Sequence, residues 1–443
     1  MSLNESRART IVWAITVAAL LYSAAHFVQS GIIFPLQQPN LGKFDEEGAA
    51  LRLSLLTGQT VHFDNAVQYG TVFFFVVHPL LLHTHSDREL AGWLYAIQLL
   101  CLGVGFALTC ATLKPLVRPP EWTLMAAWLA VLWLNFAPVY TTIAVKSVEN
   151  WELMLLSVAL YAYVRGRLWM MGFALAAAAL VKVLPLIFMY YLLLTNRRAF
   201  VRAAVALAVL LLAGHVIYGP QMGLWYLPHL ARSATGTSFG LHWHENISLK
   251  AAVAKLFGHL EPPKSPYTLI LSGSRLRTAT IVGDVAVVIT LVLLTLTLLK
   301  RRAPGAATTI WEWSVVSVVM LIASPNTTFE YATLALGALS YAMVRLRSPE
   351  PYREPHAVTW ALVGASMLLL GVLLPRQILN AVTFSGALAR SSAYTSHLSP
   401  SEAYQFFCFP LVGLLIFTAA LWRLRPATAD QGRSVSVGSI RSA

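Results

Sequence analysis

The sequence predicts an all-α polytopic integral membrane protein, and three observations predict it. Hydrophobic residues make up 57% of the 443-residue chain and charged residues only 12%, against about 25% charge in an ordinary soluble domain. Long apolar runs recur along its length, so lipid is the solvent for most of it. The net charge of +13 is carried by short Arg and Lys clusters set between those runs. That distribution marks cytoplasmic loops. It is not the contiguous basic face of a nucleic-acid-binding protein, and no nucleic acid partner is expected.

A helix needs roughly 20 apolar residues to cross the hydrocarbon core, fewer when packed among other helices. Spans are placed near 11–28, 91–113, 122–140, 150–164, 200–218, 279–300, 308–323, 328–345, 357–374 and 405–423. The stretch 168–195 is too long for one comfortable helix and is interrupted by Val181-Lys182-Val183-Leu184-Pro185. Proline breaks a helix there, and a lysine in mid-membrane is expensive. Two short helices, 168–181 and 183–195, therefore meet at a water-accessible face, which brings the expected spans to about twelve.

The basic clusters test that threading. Arg7/Arg9, Lys114/Arg118, Arg165/Arg167, Arg197/Arg198, Lys300/Arg301/Arg302, Arg345/Arg347 and Arg423/Arg425 then share one side. That side is the cytoplasm by the positive-inside rule. A single span over 168–195 would send the later clusters across the membrane. The expectation is a multi-pass protein of the cytoplasmic (inner) membrane, with both termini inside and the first helix retained rather than cleaved as a signal. Residues 1–425 form one transmembrane domain, followed by a disordered cytoplasmic tail over 426–443 that is rich in Ser, Gly, Ala and Arg.

Cys101, Cys110 and Cys408 fall within the predicted spans, with neither metal-ligand spacing nor a disulfide framework. They read as packing residues. No metal or cofactor is expected.

The non-cytoplasmic face is left with long loops over 29–90, 219–278 and 375–404, and long loops tend to carry function. In the first, Ala49, Leu51, Leu53, Leu55 and Leu56 suit a short amphipathic helix over 45–58 that ends at Gly58. Asp45 stands at its start, followed by Glu46 and Glu47. A carboxylate there caps free backbone N–H groups, and a cap is an even match for a catalytic role on these residues alone. The second loop holds Leu241-His242-Trp243-His244-Glu245-Asn246-Ile247-Ser248-Leu249. The spacing of its histidines fits none of the usual zinc helices. Hydrogen bonding to a sugar beside a stacking Trp243 is a better use of these side chains; a His-rich surface loop is the plain one.

Three further polar groups open to the same face under this threading: Lys182, the Ser147-Val148-Glu149-Asn150 turn, and Ser324-Pro325-Asn326-Thr327-Thr328-Phe329-Glu330-Tyr331. Each has an ordinary explanation: a snorkelling lysine, an N-capping turn, a Ser-Pro-Asn helix break. Their coincidence on one side points to a single cavity.

In this order the motifs resemble glycosyltransferase family 87, the polyprenyl-phosphate-mannose-dependent mannosyltransferases, which are similar in architecture to other GT-C enzymes. The series runs from Asp45–Gly58 through Ser147-Val148-Glu149-Asn150 and Leu180-Val181-Lys182-Val183-Leu184-Pro185-Leu186 to Glu245-Asn246-Ile247-Ser248-Leu249-Lys250 and Ala323-Ser324-Pro325. The resemblance covers about residues 11–345. Where family members often show Gly-Gln-x-Asn, only Asn150 is kept. Where they often carry Ser-Trp and two histidines after Ser-Pro, this chain has Thr327-Thr328 and Glu330-Tyr331. Mannose therefore does not carry over with the motifs.

The resemblance implies transfer of a sugar from a polyprenyl-phosphate donor to a hydroxyl of a glycolipid or glycan acceptor, beside membrane lipid, on the non-cytoplasmic face. A single displacement needs a carboxylate to take the acceptor's proton and inverts the anomeric centre. Asp45 matches the family's catalytic aspartate, with Glu46 as a stand-in one residue on. Lys182 would stabilise the departing phosphate as a point charge, His244 would assist, and Asn150, Trp243, Glu245, Asn246 and Ser324 would hold substrate. No Asp-x-Asp pair or Gly-rich phosphate loop speaks for a nucleotide-sugar donor. Asp45, Glu46 and Glu47 could also hold a divalent cation, although three neighbours on one helix converge poorly on one ion. A pentosyl or aminosugar transferase, a flippase for lipid-linked sugars with its broken helices, and a scaffold subunit are the competing readings.

Overall fold

The computed structural model describes residues 3–37, 69–219, 245–260, 269–271, 273–300, 305–347, 357–371 and 400–426. Asp45, Glu46, Trp243, His244, the amphipathic helix expected over 45–58 and the tail beyond 426 lie outside the described residues.

The chain is a helical bundle. Its helices are α1 (Leu3–Phe27), α2 (Thr71–His83), α3 (Asp87–Leu113), α4 (Pro119–Leu134), α5 (Ala137–Ala144), α6 (Glu149–Val164), α7 (Leu168–Val181) and α8 (Leu186–Thr195). They continue as α9 (Arg197–Tyr218), α10 (Leu249–Phe257), α11 (Gly273–Leu299), α12 (Ala306–Ala323), α13 (Leu336–Arg347), α14 (Ala357–Leu369), α15 (Pro400–Phe406) and α16 (Phe409–Arg423). A two-residue antiparallel pair, His259–Leu260 with Leu269–Ile270, is the only sheet among the described residues.

Among the described residues, five helical stretches are long and apolar enough to cross a membrane: Arg7–Gln37, Asp87–Leu116, Arg197–Tyr218, Gly273–Leu299 and Ala306–Ala323. α2, α7, α8, α14 and α16 are apolar but shorter. Several boundaries differ from those read in the sequence. The run placed at 122–140 is two helices, α4 and α5, because α4 ends at Asn135, whose side chain bonds back to the Val131 carbonyl and across to Ser23 Oγ. The run placed at 328–345 opens as a 3-10 turn, Phe329–Ala335, before α13. The stretch assigned to the first outer loop contains α2, whose Phe73, Phe74 and Val77 are buried. A short, Phe-rich segment holding Pro79 does not reach the length that a spanning criterion asks for, so a hydropathy reading passes over it.

Local signals fix the ends that matter. Ser86 caps α3 by accepting from Glu89 N at 3.2 Å, and Glu89 Oε2 accepts from His85 N, one residue ahead of the cap, at 3.0 Å. α6 closes at Gly166, whose φ of +71° suits a residue without Cβ, with Arg167 N donating to Ala162 O at 2.8 Å. Asn196 caps α9 by accepting from Ala199 N at 3.1 Å.

The core gathers residues from α3 to α8, α12, α13 and α16 in one apolar cluster. Two polar contacts cross it: Tyr191 Oη donates to buried Glu312 Oε2 at 2.9 Å, and Trp133 Nε1 donates to Ser340 Oγ at 2.9 Å. α7 packs between α6 and α9. The approach to α9 is close enough that a Cβ on Gly172 would lie 3.0 Å from Ala203 N. Small residues at such crossings let helices in a membrane touch along their backbones.

Candidate functional site

The Lys182 break sits where three elements meet. α7 ends at Val181, and Lys182 leaves it in extended conformation (φ −152°, ψ 144°) before Pro185 starts α8. The freed backbone is taken up by the segment ahead of α2: Tyr69 and Lys182 form an isolated antiparallel bridge, and Gly70 N donates to Val181 O at 3.1 Å. The sequence expectation of two short helices is met, and the backbone polar groups that a break exposes find partners.

The lysine side chain is 4% exposed, so it needs a counter-charge. Glu149, the first residue of α6, supplies it: Lys182 Nζ donates to Glu149 Oε1 at 2.9 Å. The ammonium lies 3.7 Å from the centre of the Tyr331 ring and 5.5 Å from that of Tyr69, within cation–π range. One turn along α6, Glu152 is fully buried and shares the face of Glu149. Asn150, between them in sequence, is also fully buried. Gln98 of α3 donates Nε2 to the Ser147 carbonyl ahead of this turn.

A second group lies at the start of α10. Asn246 Oδ1 accepts from Ser248 N at 3.0 Å and from Thr327 N at 3.1 Å, while its Nδ2 donates to Pro325 O at 3.1 Å. Ser248 caps α10 through Ala251 N at 3.1 Å and donates to Pro325 O at 3.2 Å. Ser324 Oγ donates to Asn326 O at 2.8 Å, closing the turn after α12. Lys255 Nζ donates to Asn246 O at 2.7 Å and Gln405 O at 3.1 Å. Burial holds its amine below the ordinary lysine range. Glu245 is exposed at the edge of this group, its charge within reach of Lys255.

One short ribbon joins the two groups. Residues 324–331 bond Asn246 at Thr327 and present Tyr331 to Lys182. The structure thus brings Ser324 together with Asn246, and Asn150 into the turn that carries Lys182's partner. Asn246 and Ser324 both make hydrogen bonds that hold this turn. The sequence reading did not single out Glu149, Glu152, Tyr69 or Tyr331 as site residues. The signal for Glu149 and Glu152 was available: a lysine kept inside a bundle requires a carboxylate near its own depth. Tyr69 and Tyr331 carry no such signal, because only the folded chain places their rings on the ammonium.

The arrangement suits a polar, partly charged ligand at one end of a bundle. Glu149 opens α6 and Arg165 follows its other end, so the site and the basic clusters sit a helix length apart. Among the described residues no group of three or more His, Cys, Asp or Glu side chains could hold a metal ion. No curated protein matches the chain. The model of glycosyltransferase family 87 matches residues 68–325, more than half of its length. With its apolar helices and its buried polar end, the chain belongs to glycosyltransferase family 87 and is a membrane transferase that moves a sugar from a donor to an acceptor.

Proposed function

We propose that the protein transfers a hexose such as mannose from a polyprenyl-phosphate donor to a hydroxyl of a glycolipid or glycan acceptor. Transfer takes place on the non-cytoplasmic face of the inner membrane, with inversion at the anomeric carbon. Asp45 takes the acceptor's proton as general base. The leaving group is a phosphate and needs charge stabilisation rather than a proton, which Lys182 supplies. Asn150, Glu245, Asn246 and Ser324, with Glu46, Trp243 and His244, shape the pocket for sugar and acceptor. The reading includes twelve crossings: α1, α3, α4, α6 to α9, α11, α12, α13 with its 3-10 turn, α14 and α16. Both termini are then cytoplasmic.

The observation that carries this reading is the buried Lys182–Glu149 pair in a family 87 chain. A solitary buried lysine loses its proton readily, and a carboxylate at 2.9 Å keeps the positive charge in place for an anionic leaving group. A lipid-borne donor fits an enzyme whose polar site closes the end of a bundle of apolar helices, since its tail stays in hydrocarbon. The test uses purified protein in detergent with radiolabelled polyprenyl-phosphate mannose and a membrane lipid extract. Label passing into a new glycolipid with the wild type and not with Asp45→Asn supports the donor and the base. Equal transfer by both proteins removes Asp45 from the mechanism.

A further inference from the structure

Glu152 is the one carboxylate at this end of the bundle whose two oxygens both lack a hydrogen-bond partner among the described residues. It is fully buried. A buried carboxyl group whose two oxygens meet no hydrogen-bond partner costs free energy that a ligand bringing hydrogen bonds would recover. Its placement says what the ligand touches next. Three residues along one helix put Glu152 on the face of Glu149, and it feels the charges of both Lys182 and Glu149. The ammonium of Lys182 in turn lies against the rings of Tyr331 and Tyr69.

A glycosyl phosphate is complementary to that set. Its phosphate is an anion for Lys182, its ring carbons lie against aromatic faces, and its hydroxyls are donors for a carboxylate. We propose that Glu152 accepts hydrogen bonds from hydroxyls of the transferred glycosyl unit and so decides which sugar the enzyme takes, an inference that rests on the polyprenyl-phosphate reading above. Glu149 and Glu152 then divide the work: the first holds the lysine in place, the second reads the sugar. Hydroxyl readout discriminates strongly because a donor lacking the hydroxyl leaves a buried polar group unpaired.

The experiment compares kcat/KM for a polyprenyl-phosphate hexose and for matched donors each lacking one hydroxyl, with wild type and Glu152→Gln. In the wild type, loss of the contacted hydroxyl lowers kcat/KM by roughly 10- to 100-fold, the range for leaving a buried polar group unsatisfied. In Glu152→Gln, whose side chain offers one acceptor oxygen in place of two, that penalty falls to about threefold. A variant that keeps the wild-type penalty for every deoxy donor overturns the inference and leaves the proposed function standing. That result would mean that Glu152 is completed by a proton or a water instead. A wild type that transfers from no polyprenyl-phosphate hexose overturns both. Should Glu152→Gln fail to elute as a folded species, Glu152→Asp is read in the same assay. One methylene withdrawn from the contact must change the deoxy penalty, and an unchanged penalty counts against the inference.

Discussion

Breaking the Lys182–Glu149 pair is the perturbation with the largest expected effect on folding. At 2.9 Å and an effective dielectric of 20, the Coulomb attraction is about 6 kcal/mol, against which desolvation of both ions must be set. The net worth of the pair is therefore modest, but removal of one partner strands the other. Lys182→Met leaves Glu149 as a buried carboxylate, and Glu149→Gln leaves a buried ammonium over Tyr331. Each is expected to cost about 3–5 kcal/mol. The double variant removes both charges together and should cost less than the sum of the singles by about 2 kcal/mol or more. Reversible unfolding in mixed micelles, titrated with a denaturing detergent, measures all four proteins of the cycle. Two singles each below about 1 kcal/mol, or a double equal to their sum, would refute the reasoning that this pair is buried and isolated from water.

Other outcomes follow from the same geometry. Asn246→Ala removes two bonds that tie the α10 entry to the turn after α12 and one to Ser248 N within that entry, and should lower stability by about 3 kcal/mol at roughly 1 kcal/mol each in the same unfolding assay. A Cβ on Gly214 would collide with the side chain of Thr71. Gly214→Ala should cost about 1–3 kcal/mol, and Thr71→Ala in the same chain should restore part of it, whereas no restoration would show that the two helices do not cross there. Lys255 titrates below its ordinary range when folded, so the unfolded chain binds more protons and stability rises with pH from the folded value to about 10.4. Lys255→Met should lose that rise, seen as a smaller difference in unfolding midpoint between neutral and alkaline buffer.

The sequence by itself determined the solvent of this protein. A chain with 12% charge and recurring apolar runs has nowhere to bury them but lipid or one another, and that follows from composition alone. It also determined the break at Lys182, because proline cannot continue a helix and a charged side chain cannot be left in hydrocarbon. Helix starts at Ser86, Asn196 and Ser248 were legible as local chemistry, each a capping side chain three residues ahead of the N–H it accepts from.

The tertiary structure alone decided which charges meet. Glu149 and Lys182 are 33 residues apart, and no local rule selects that pair over others in the chain. α2 escaped the hydropathy reading because a short helix that packs against other helices need not be long enough to span. The α4–α5 break was likewise hidden, since Asn135 reaches Ser23 across 112 residues and nothing in its neighbours announces the contact. Tyr69 and Tyr331 reach the ammonium from distant parts of the chain. Asn246, read in the sequence as a substrate contact, is joined to Thr327 and Pro325 by bonds that only the fold reveals. Periodicity and capping are written within one or two turns of chain, and so a sequence shows them. A buried ion pair is a balance between desolvation and contact, and only the packed bundle brings the partners within reach and takes the water away.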